Sequence, residues 1–356
     1  MSEPIMIFKK PSYPINDSLL NYLERYDRIS SVAISYDDFI RFSGSINVYD
    51  KNEQDTLWTR VYYNEFERVE IDLTLKKIYS LLHSDGNLSI IKFLNVDSID
   101  YCTFGNSKPF RVKIRNILND NYTHFYIKKA DASRIYGLEL EHIVSPDKIN
   151  FLVYKDTLVE EHIMGIPGDA FIKTDLHKCT EIEKAQIAKE FVKFNERCMI
   201  RLLGDMRSYN YVIVATHDFD QFFYKIRAID FDQQCYEGNF KVYRPQFFKE
   251  NYPMVKLVKD KLQESSIEQY KYEERAAIAK RFLSEENRVK TLLYIMGNDN
   301  ISSRENINQL KLELYRYTHD LNFKRANSMG KIMSVAFEFI TRNFKNTIVF
   351  NEKNAF

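Results

Sequence analysis

Short stretches in which apolar and polar residues alternate dominate the chain between residues 44 and 163. A period of two is typical of strands that bury one face, so these stretches predict a strand-rich region. In the stretch 110–117, for example, Arg111, Lys113 and Arg115 alternate with other residues, most of them apolar. The predicted strands are 44–50, 56–63, 88–96, 110–117, 123–128, 149–154 and 158–163. Apolar positions three and four apart predict helices at 71–82 and 133–144.

The pattern changes at the Gly-Ile-Pro-Gly segment at residues 165–168, which breaks the strand-rich region. Thr180 is followed three residues later by Glu183, which fits a capping box, and apolar positions at helical spacing continue to Leu202. A strand pair is predicted at 211–215 and 223–229, and helices at 270–283, 288–296, 304–317 and 326–344. The sequence therefore predicts an α+β protein with a strand-rich first half and a helix-rich second half.

The composition excludes several classes of protein. Of the 356 residues, 44% are hydrophobic and 28% are charged, which is typical of a globular chain rather than a disordered one. The net charge is only +1, so no strong basic field indicates a nucleic-acid partner, and none is expected. Aromatic residues make up 14%, but they are spread along the chain rather than gathered in one basic segment.

The cysteines and the apolar stretches of the sequence indicate the cellular compartment. The four cysteines are far apart and form no Cys-x-x-Cys pair, so neither a zinc site nor a disulfide framework is expected. No stretch approaches the roughly 20 apolar residues of a membrane span, and the first 14 residues hold no apolar run typical of a signal peptide. We therefore expect a cytoplasmic protein with reduced thiols and no membrane span.

Two segments of the second half carry the residue types that phosphoryl transfer needs. Asp205 lies five residues before Asn210 in a predicted loop, and Asp230 follows an apolar strand. One carboxylate can orient or deprotonate a hydroxyl group, while an amide oxygen and a second carboxylate can hold magnesium against phosphates. The predicted hairpin at 211–229 would return Asp230 to the side of the loop that contains Asp205 and Asn210.

This order of a helix, Asp-x4-Asn, a strand hairpin and then Ile-Asp-Phe resembles the catalytic and magnesium loops of protein-kinase-like enzymes. The sequence Gly-Asp-Met-Arg-Ser-Tyr-Asn at 204–210 looks closest to atypical branches of that superfamily, the phosphoinositide-kinase-like, HipA-type and aminoglycoside-phosphotransferase-like kinases. The resemblance implies that Asp205 is the catalytic base and that Asn210 and Asp230 bind Mg²⁺. Asp232 replaces the glycine of the usual Asp-Phe-Gly and is a candidate for a further metal ligand.

The strand-rich half carries a set of residues that matches the same resemblance. Asn106, Ser107 and Lys108 lie in a turn similar to a phosphate-binding loop, and Lys128 ends a strand farther along. A lysine rooted in a sheet suits the phosphates of ATP. The resemblance therefore makes Lys128 the ATP lysine, with Lys129 as the alternative if the register shifts by one residue.

Two further roles follow from the resemblance. In the superfamily a carboxylate on the next helix pairs with the ATP lysine, and Glu139 lies on the apolar face of the predicted helix, with Glu141 as the alternative. The backbone of residues 161–163, Glu161, His162 and Ile163, corresponds to the hinge that binds the adenine edge.

The resemblance implies a two-lobed protein-kinase-like fold. Residues 96–165 would form an antiparallel-sheet N-lobe, residues 166–356 a helical C-lobe, and residues 1–95 an extra α/β region of unknown role. The implied function is transfer of a phosphoryl group from ATP, with Mg²⁺, to a protein or small-molecule acceptor. The alternative is a catalytically inactive pseudokinase that binds a nucleotide or a protein partner, because the chain lacks GxGxxG and has an altered Asp-Phe-Gly. A third interpretation, an unrelated α+β binding protein, predicts no magnesium-dependent binding of ATP.

Overall fold

The computed structural model describes residues 10–105, 107–218 and 221–345. It is a mixed α+β structure with an antiparallel sheet and a helical C-terminal region, as the sequence predicts. Asn106 of the predicted phosphate-binding turn lies outside the described residues, and so does the tip of the hairpin at 219–220.

The chain divides into two compact units, which we call the sheet unit and the helical unit. The sheet unit contains Pro14–Asp131 and Ile149–His162. The helical unit contains Ala132–Lys148 and the chain from Ile163 onward, together with the described residues before Pro14. Neither unit coincides with one of the three segments predicted from the sequence, because the helix at 132–144 belongs to the helical unit.

The sheet unit is built on seven antiparallel strands in the order β1-β2-β3-β4-β5-β7-β6. The strands are β1 (Gly44–Tyr49), β2 (Asp55–Tyr62), β3 (Leu94–Cys102), β4 (Phe110–Asn116), β5 (Tyr122–Lys129), β6 (Phe151–Tyr154) and β7 (Thr157–Glu161). The helices of this unit are α1 (Asp17–Arg25), α2 (Tyr36–Phe39) and α3 (Glu65–His83). The strand predicted at 88–96 is wrong in its first part, where Leu88–Phe93 is a 3-10 helix. The Asn87 side chain accepts a hydrogen bond of 3.0 Å from the Ser89 N–H, which closes this turn in place of strand pairing.

The two faces of the sheet differ in chemistry because its side chains alternate. One face is apolar and packs with α2 and α3 into a core in which each large side chain contributes roughly 1.5–3 kcal/mol. This core includes Leu75, Ile78, Phe110, Val112, Phe125 and Ile127. The other face carries the alternate residues of β4, β5 and β7, among them Arg111, Tyr126, Lys128 and Glu160.

The helical unit contains nine α-helices among its described residues and a small sheet in the order β10-β9-β8. Its helices are α4 (Ala132–Val144), α5 (Gly168–Thr174), α6 (Glu181–Arg201), α7 (Tyr252–Lys261), α8 (Glu264–Ser284), α9 (Glu286–Gly297), α10 (Arg304–Thr318), α11 (Asn322–Arg325) and α12 (Met329–Lys345). Its strands are β8 (Ile166–Pro167), β9 (Tyr211–Asp218) and β10 (Gln221–Ala228). Further 3-10 helices lie at Leu176–Lys178, Ser208–Asn210, Phe240–Tyr243, Pro245–Phe247 and Lys249–Asn251.

Helix α6 is the central helix of this unit and packs against α7, α8 and β10. The capping box that the sequence predicts at its start is confirmed, because the Thr180 side chain and the Glu183 side chain each bond to the other's backbone. The helix ends at Arg201, and Leu202 follows with a φ of 50° in the left-handed region. Within the described residues, no helix combines the length and the apolar character needed to cross a membrane.

Candidate active site

The loop after α6 is joined to the segment after β10 by backbone hydrogen bonds. The Cys235 N–H donates to the Leu202 carbonyl at 2.9 Å, and the Gly204 N–H donates to the Gln233 carbonyl at 3.1 Å. Residues 202–204 and 233–235 therefore run side by side. This pairing holds the predicted catalytic loop next to the segment that contains Asp230 and Asp232.

Asn210 ties the predicted catalytic residue to the same segment. Its side-chain amide donates to the Asp205 carbonyl at 2.7 Å, and its own carbonyl accepts the Ile229 N–H at 3.0 Å. Ile229 directly precedes Asp230. The structure thus gathers Asp205, Asn210 and Asp230 in one place, as the sequence predicts from the hairpin between them. We call these three residues and Asp232 the acid cluster.

The Asp205 carboxylate is held in an unusual electrostatic environment. Its backbone has a φ of 59°, a conformation that aspartate tolerates better than most residues. Arg207 donates from Nε to the Asp205 carboxylate at 2.8 Å and from Nη1 to the Glu250 carboxylate at 2.9 Å. Burial raises the pKa of Asp205 to about 6; Arg207 opposes this shift, and the negative charges of Asp230 and Glu250 add to it. Such a carboxylate changes its charge near neutral pH.

A buried arginine that the sequence did not predict contacts the other two acids of the cluster. Arg134, in the first turn of α4, donates to the Asp230 carboxylate at 3.1 Å and from Nε to the Asp232 carboxylate at 2.8 Å. Its Nη2 also lies 2.5 Å from Asp232. One guanidinium group therefore bridges the two carboxylates that were predicted to bind metal.

The two candidate glutamates of α4 pair with arginines of the helical unit. The Glu139 carboxylate accepts hydrogen bonds of 2.9 and 2.5 Å from Arg288, and Glu141 forms a buried ion pair with Arg201. Each pair ties α4 to another helix, Glu139 to α9 and Glu141 to α6. A pairing of Glu139 with the ATP lysine stays a prediction.

In the sheet unit, Lys128 is the buried lysine of the two candidates. Its ammonium group forms an ion pair with Glu160 of β7, and the two side chains are only 8% and 5% exposed. Lys129 points to the opposite face and pairs with Asp37, where both side chains are more than half exposed. The register places Tyr126 opposite Glu160 and Lys128 opposite Leu158, so Lys128 and Glu160 are diagonal neighbours on one face.

The predicted phosphate-binding turn connects β3 to β4. Gly105 has a φ of 90°, which favours glycine, and Lys108 has a φ of 38°. The Lys108 carbonyl accepts a hydrogen bond of 2.7 Å from the Tyr36 hydroxyl, which fastens one side of the turn to α2. The Lys108 side chain is exposed, while Ser107 is half-buried.

The predicted hinge follows β7. The Glu161 N–H donates to the Asn150 carbonyl at 3.0 Å, and the His162 N–H donates to the His124 carbonyl at 3.3 Å. These N–H groups already have partners within the sheet unit, so binding a base edge through them would require breaking those bonds. Ile163, the third predicted hinge residue, is buried in the helical unit.

The His162 side chain joins an aromatic group on the polar face of the sheet. Its Nδ1 lies 2.9 Å from the Tyr126 hydroxyl, and its ring centroid lies 5.4 Å from that of His124. Burial lowers the pKa of His162, and burial together with His162 and Arg111 lowers that of His124 to about 4. Both imidazoles are therefore neutral at physiological pH.

The acid cluster has the chemistry of a magnesium site. Mg²⁺ prefers oxygen ligands and commonly takes one or two carboxylates, with water and phosphate oxygens completing its shell. Asp230 and Asp232 supply two carboxylates, and Asn210 supplies an amide oxygen. In the described parts of the chain no three His, Cys, Asp or Glu side chains are grouped so that they could hold a metal ion by themselves.

Sequence reasoning missed Arg134 and Glu160, for different reasons. The alternation of β5 and β7 could have placed Glu160 on the same face as Lys128, but only once the two strands were known to be neighbours. Arg134 gave no signal, since nearly every side chain of α4 is buried and a helix buried on all sides shows no periodic pattern.

Comparison with known proteins gives no family for this chain. No protein-family model matches the sequence, and a search of the curated proteins finds no significant match.

Proposed function

We propose that this chain is an ATP- and Mg²⁺-dependent phosphotransferase of the protein-kinase-like superfamily. The observation that carries the proposal is the gathering of Asp205, Asn210 and Asp230, which come from two separate segments but are joined through Asn210. Phosphoryl transfer depends mainly on positioning and charge, so a carboxylate for the acceptor hydroxyl beside an oxygen-rich cation site is the arrangement it needs.

The sheet unit would act as the N-lobe and the helical unit as the C-lobe of a two-lobed kinase-like fold. In support, the strand that ends near Lys128 and the strand that leads to the predicted hinge are direct neighbours, with Phe125 paired to Glu161 and Lys128 to Leu158. Neighbouring strands lie about 4.8 Å apart. One nucleotide would then contact the lysine with its phosphates and the hinge strand with its base, and the base would have to replace the hydrogen bonds that the Glu161 and His162 N–H groups make within the sheet unit.

Each residue then has a defined task. Asp205 accepts or orients the proton of the acceptor hydroxyl, and a pKa of about 6 suits a base that works near neutral pH. Lys128 binds the phosphates of ATP as a point charge fixed to a rigid sheet. Asn210 and Asp230, with Asp232, would hold Mg²⁺, which supplies charge neutralisation for the phosphates when bound. The acceptor would be a hydroxyl group of a protein or a small molecule, and we propose a cytosolic location.

A second candidate function is a nucleotide-binding or protein-interaction module without catalysis. The observation that favours it is the position of Arg134, whose guanidinium group lies against both Asp230 and Asp232. A cation site that already contains a positive side chain binds metal less readily. A protein of this kind would bind a nucleotide through Lys128 and form no product.

Equilibrium binding of ATP with and without Mg²⁺, followed by measurement of ADP and phosphoprotein, separates these possibilities. The phosphotransferase binds ATP in a magnesium-dependent manner and forms product, which Asp205→Ala abolishes. Asp175→Ala is the matched control, because Asp175 is an aspartate of the same unit that pairs with Lys178 on the surface. Binding without product would favour the second candidate. Absence of any ATP binding, or an Asp205→Ala variant as active as wild type, would contradict the proposal.

A further inference from the structure

Arg134 has the position that a bound cation would take beside Asp230 and Asp232. Its side chain is 2% exposed, whereas those of Asp230 and Asp232 are 32% and 26% exposed. The arginine therefore approaches the two carboxylates from the protein interior, and their outer sides face solvent. Two carboxylates this close to one guanidinium group would repel each other without a positive charge between them.

The packing of α4 keeps Arg134 in place. The neighbouring Ser133 hydroxyl donates to the Gln234 carbonyl at 2.6 Å, so the start of the helix is fastened to the segment that follows Asp232. One turn later, a side chain at Gly137 would place its Cβ 3.1 Å from the Cβ of Phe231. The helix and the acid-bearing segment are thus in close contact on both sides of Arg134, and the guanidinium group is part of a rigid arrangement.

We propose that Arg134 is the built-in counter-ion of Asp230 and Asp232, and that it competes with a divalent cation for these two carboxylates. This inference rests on the magnesium-binding role assigned to the two acids in the proposed function. In the absence of nucleotide, the arginine neutralises the acids and keeps metal affinity low. The phosphates of a nucleotide add negative charge that attracts the metal, so the cation binds together with the nucleotide rather than before it. Arg134 is accordingly a positioning residue that sets the metal affinity of the acid cluster.

The test measures metal binding to the nucleotide-free, full-length protein, with Mn²⁺ as the probe and its free-ion EPR signal as the readout. Arg134→Met is expected to bind Mn²⁺ at least about tenfold more tightly than wild type, because the repelling charge is gone. Arg288→Met is the matched control, since it removes a guanidinium group that pairs with Glu139 of the same helix. Its Mn²⁺ affinity should equal that of wild type.

Thermal unfolding gives a second readout that needs no activity. Arg134→Met should unfold at a lower temperature than wild type without metal and should recover part of the loss when Mg²⁺ is added, while wild type should respond little. Adding Asp232→Asn to Arg134→Met should abolish the gain in Mn²⁺ affinity. If Arg134→Met does not fold, Arg134→Lys gives the answer, because one ammonium group cannot bridge both acids as a guanidinium does and affinity should rise.

Equal Mn²⁺ affinity in wild type and in a folded Arg134 variant would overturn the inference. The result is separable from the proposed function, because it involves neither ATP nor turnover. Tighter Mn²⁺ binding in Arg134→Met without ATP binding in any variant would support the counter-ion role and contradict the phosphotransferase. ATP turnover by wild type, together with equal Mn²⁺ affinity in wild type and Arg134→Met, would support the phosphotransferase and contradict the counter-ion role.

Discussion

The side-chain amide of Asn210 donates a 2.7 Å hydrogen bond to the backbone carbonyl of Asp205, five residues earlier in the same loop. The bond uses the amide nitrogen, so the oxygen is the atom that would face a cation. This one side chain therefore closes the loop, and in the proposed function its oxygen would also be a metal ligand.

Asn210→Asp should weaken the closure of the loop, because a carboxylate cannot donate to the Asp205 carbonyl and would repel it. We expect a loss of about 1–3 kcal/mol in the free energy of unfolding, measured by urea denaturation. Asn298→Ala is the control, since Asn298 donates to a backbone carbonyl at the exposed end of α9 and should cost about 0.5 kcal/mol or less. An Asn210→Asp protein as stable as wild type would show that this bond does not hold the loop.

The raised pKa of Asp205 predicts how stability depends on pH. The pKa is about 6 in the folded protein against 3.8 for an unperturbed aspartate, so the fold favours the protonated form. This contribution to stability is complete below pH 4, is lost as the pH rises through 6, and stays lost above that value. Ionised Asp205 is therefore a cost to the fold at neutral pH.

Asp205→Asn should remove that cost. Two pKa units correspond to about 3 kcal/mol. Because the pKa of about 6 already includes the opposing effect of Arg207, the variant should gain up to about 3 kcal/mol at pH 8. Near pH 4 this gain should disappear, and the variant should be as stable as wild type or less stable. Denaturation curves at several pH values test this expectation. A variant that is less stable than wild type at pH 8 would mean that Arg207 outweighs burial.

The strands around the predicted site could be predicted closely from the sequence. The intervals 110–117, 123–128 and 149–154 agree with β4, β5 and β6 to within two residues, because alternation is strong where one face packs on a core. The start of β3 was wrong, since Asn87 closes a local turn that a hydrophobic pattern does not reveal. Local hydrogen bonds of this kind compete with strand pairing.

The partners of the charged residues could be predicted less well than the residues themselves. Asp205, Asn210 and Asp230 stand out by residue type, spacing and resemblance to a known motif, and the predicted hairpin between them accounts for their proximity. The ion pair of Lys128 with Glu160 depends on which strands are neighbours, and single-sequence patterns contain no such information. The contact of Arg134 with Asp232 joins residues that are 98 positions apart.

The buried ion pair of Lys128 and Glu160 predicts separate effects on stability and on ligand binding. Lys128→Met should cost about 3–5 kcal/mol, because Glu160 would remain buried without the lysine. The double variant Lys128→Met with Glu160→Gln should recover much of this loss, since it removes both charges of the pair. If Lys128 binds the phosphates of ATP, the double variant should still fail to bind ATP.

Lys129→Met is the control for this pair of variants. Lys129 makes an exposed ion pair with Asp37 and lies 5.9 Å from the centre of the Tyr36 ring, so its replacement should change stability by less than about 1 kcal/mol. The variant should also bind ATP as wild type does. A stable double variant with normal ATP affinity would show that Lys128 does not bind ATP. Loss of ATP binding in Lys129→Met would favour Lys129 as the ATP lysine.

Gly168 packs closely against Ser208 and Tyr211 at the end of the predicted catalytic loop, which explains why glycine follows Pro167. A Cβ at this position would lie 2.3 Å from a ring carbon of Tyr211 and 2.5 Å from the Ser208 carbonyl, so no side chain fits without movement. Tyr211 in turn donates to Asn251 at 2.9 Å, and Asn251 donates to the Met206 carbonyl at 2.8 Å. A shift of Tyr211 would therefore reach the residue next to Asp205.

Gly168→Ala should destabilise the protein by about 1–3 kcal/mol through overpacking. Gly44→Ala is the matched control, because no atom lies within 4 Å of the Cβ it would add, and it should change stability by less than about 0.5 kcal/mol. Thermal unfolding of the two variants measures the difference, and hydrogen exchange should show the increase in mobility at residues 205–211. If both variants unfold at the wild-type temperature, the close approach of Gly168 to Tyr211 does not restrain the loop.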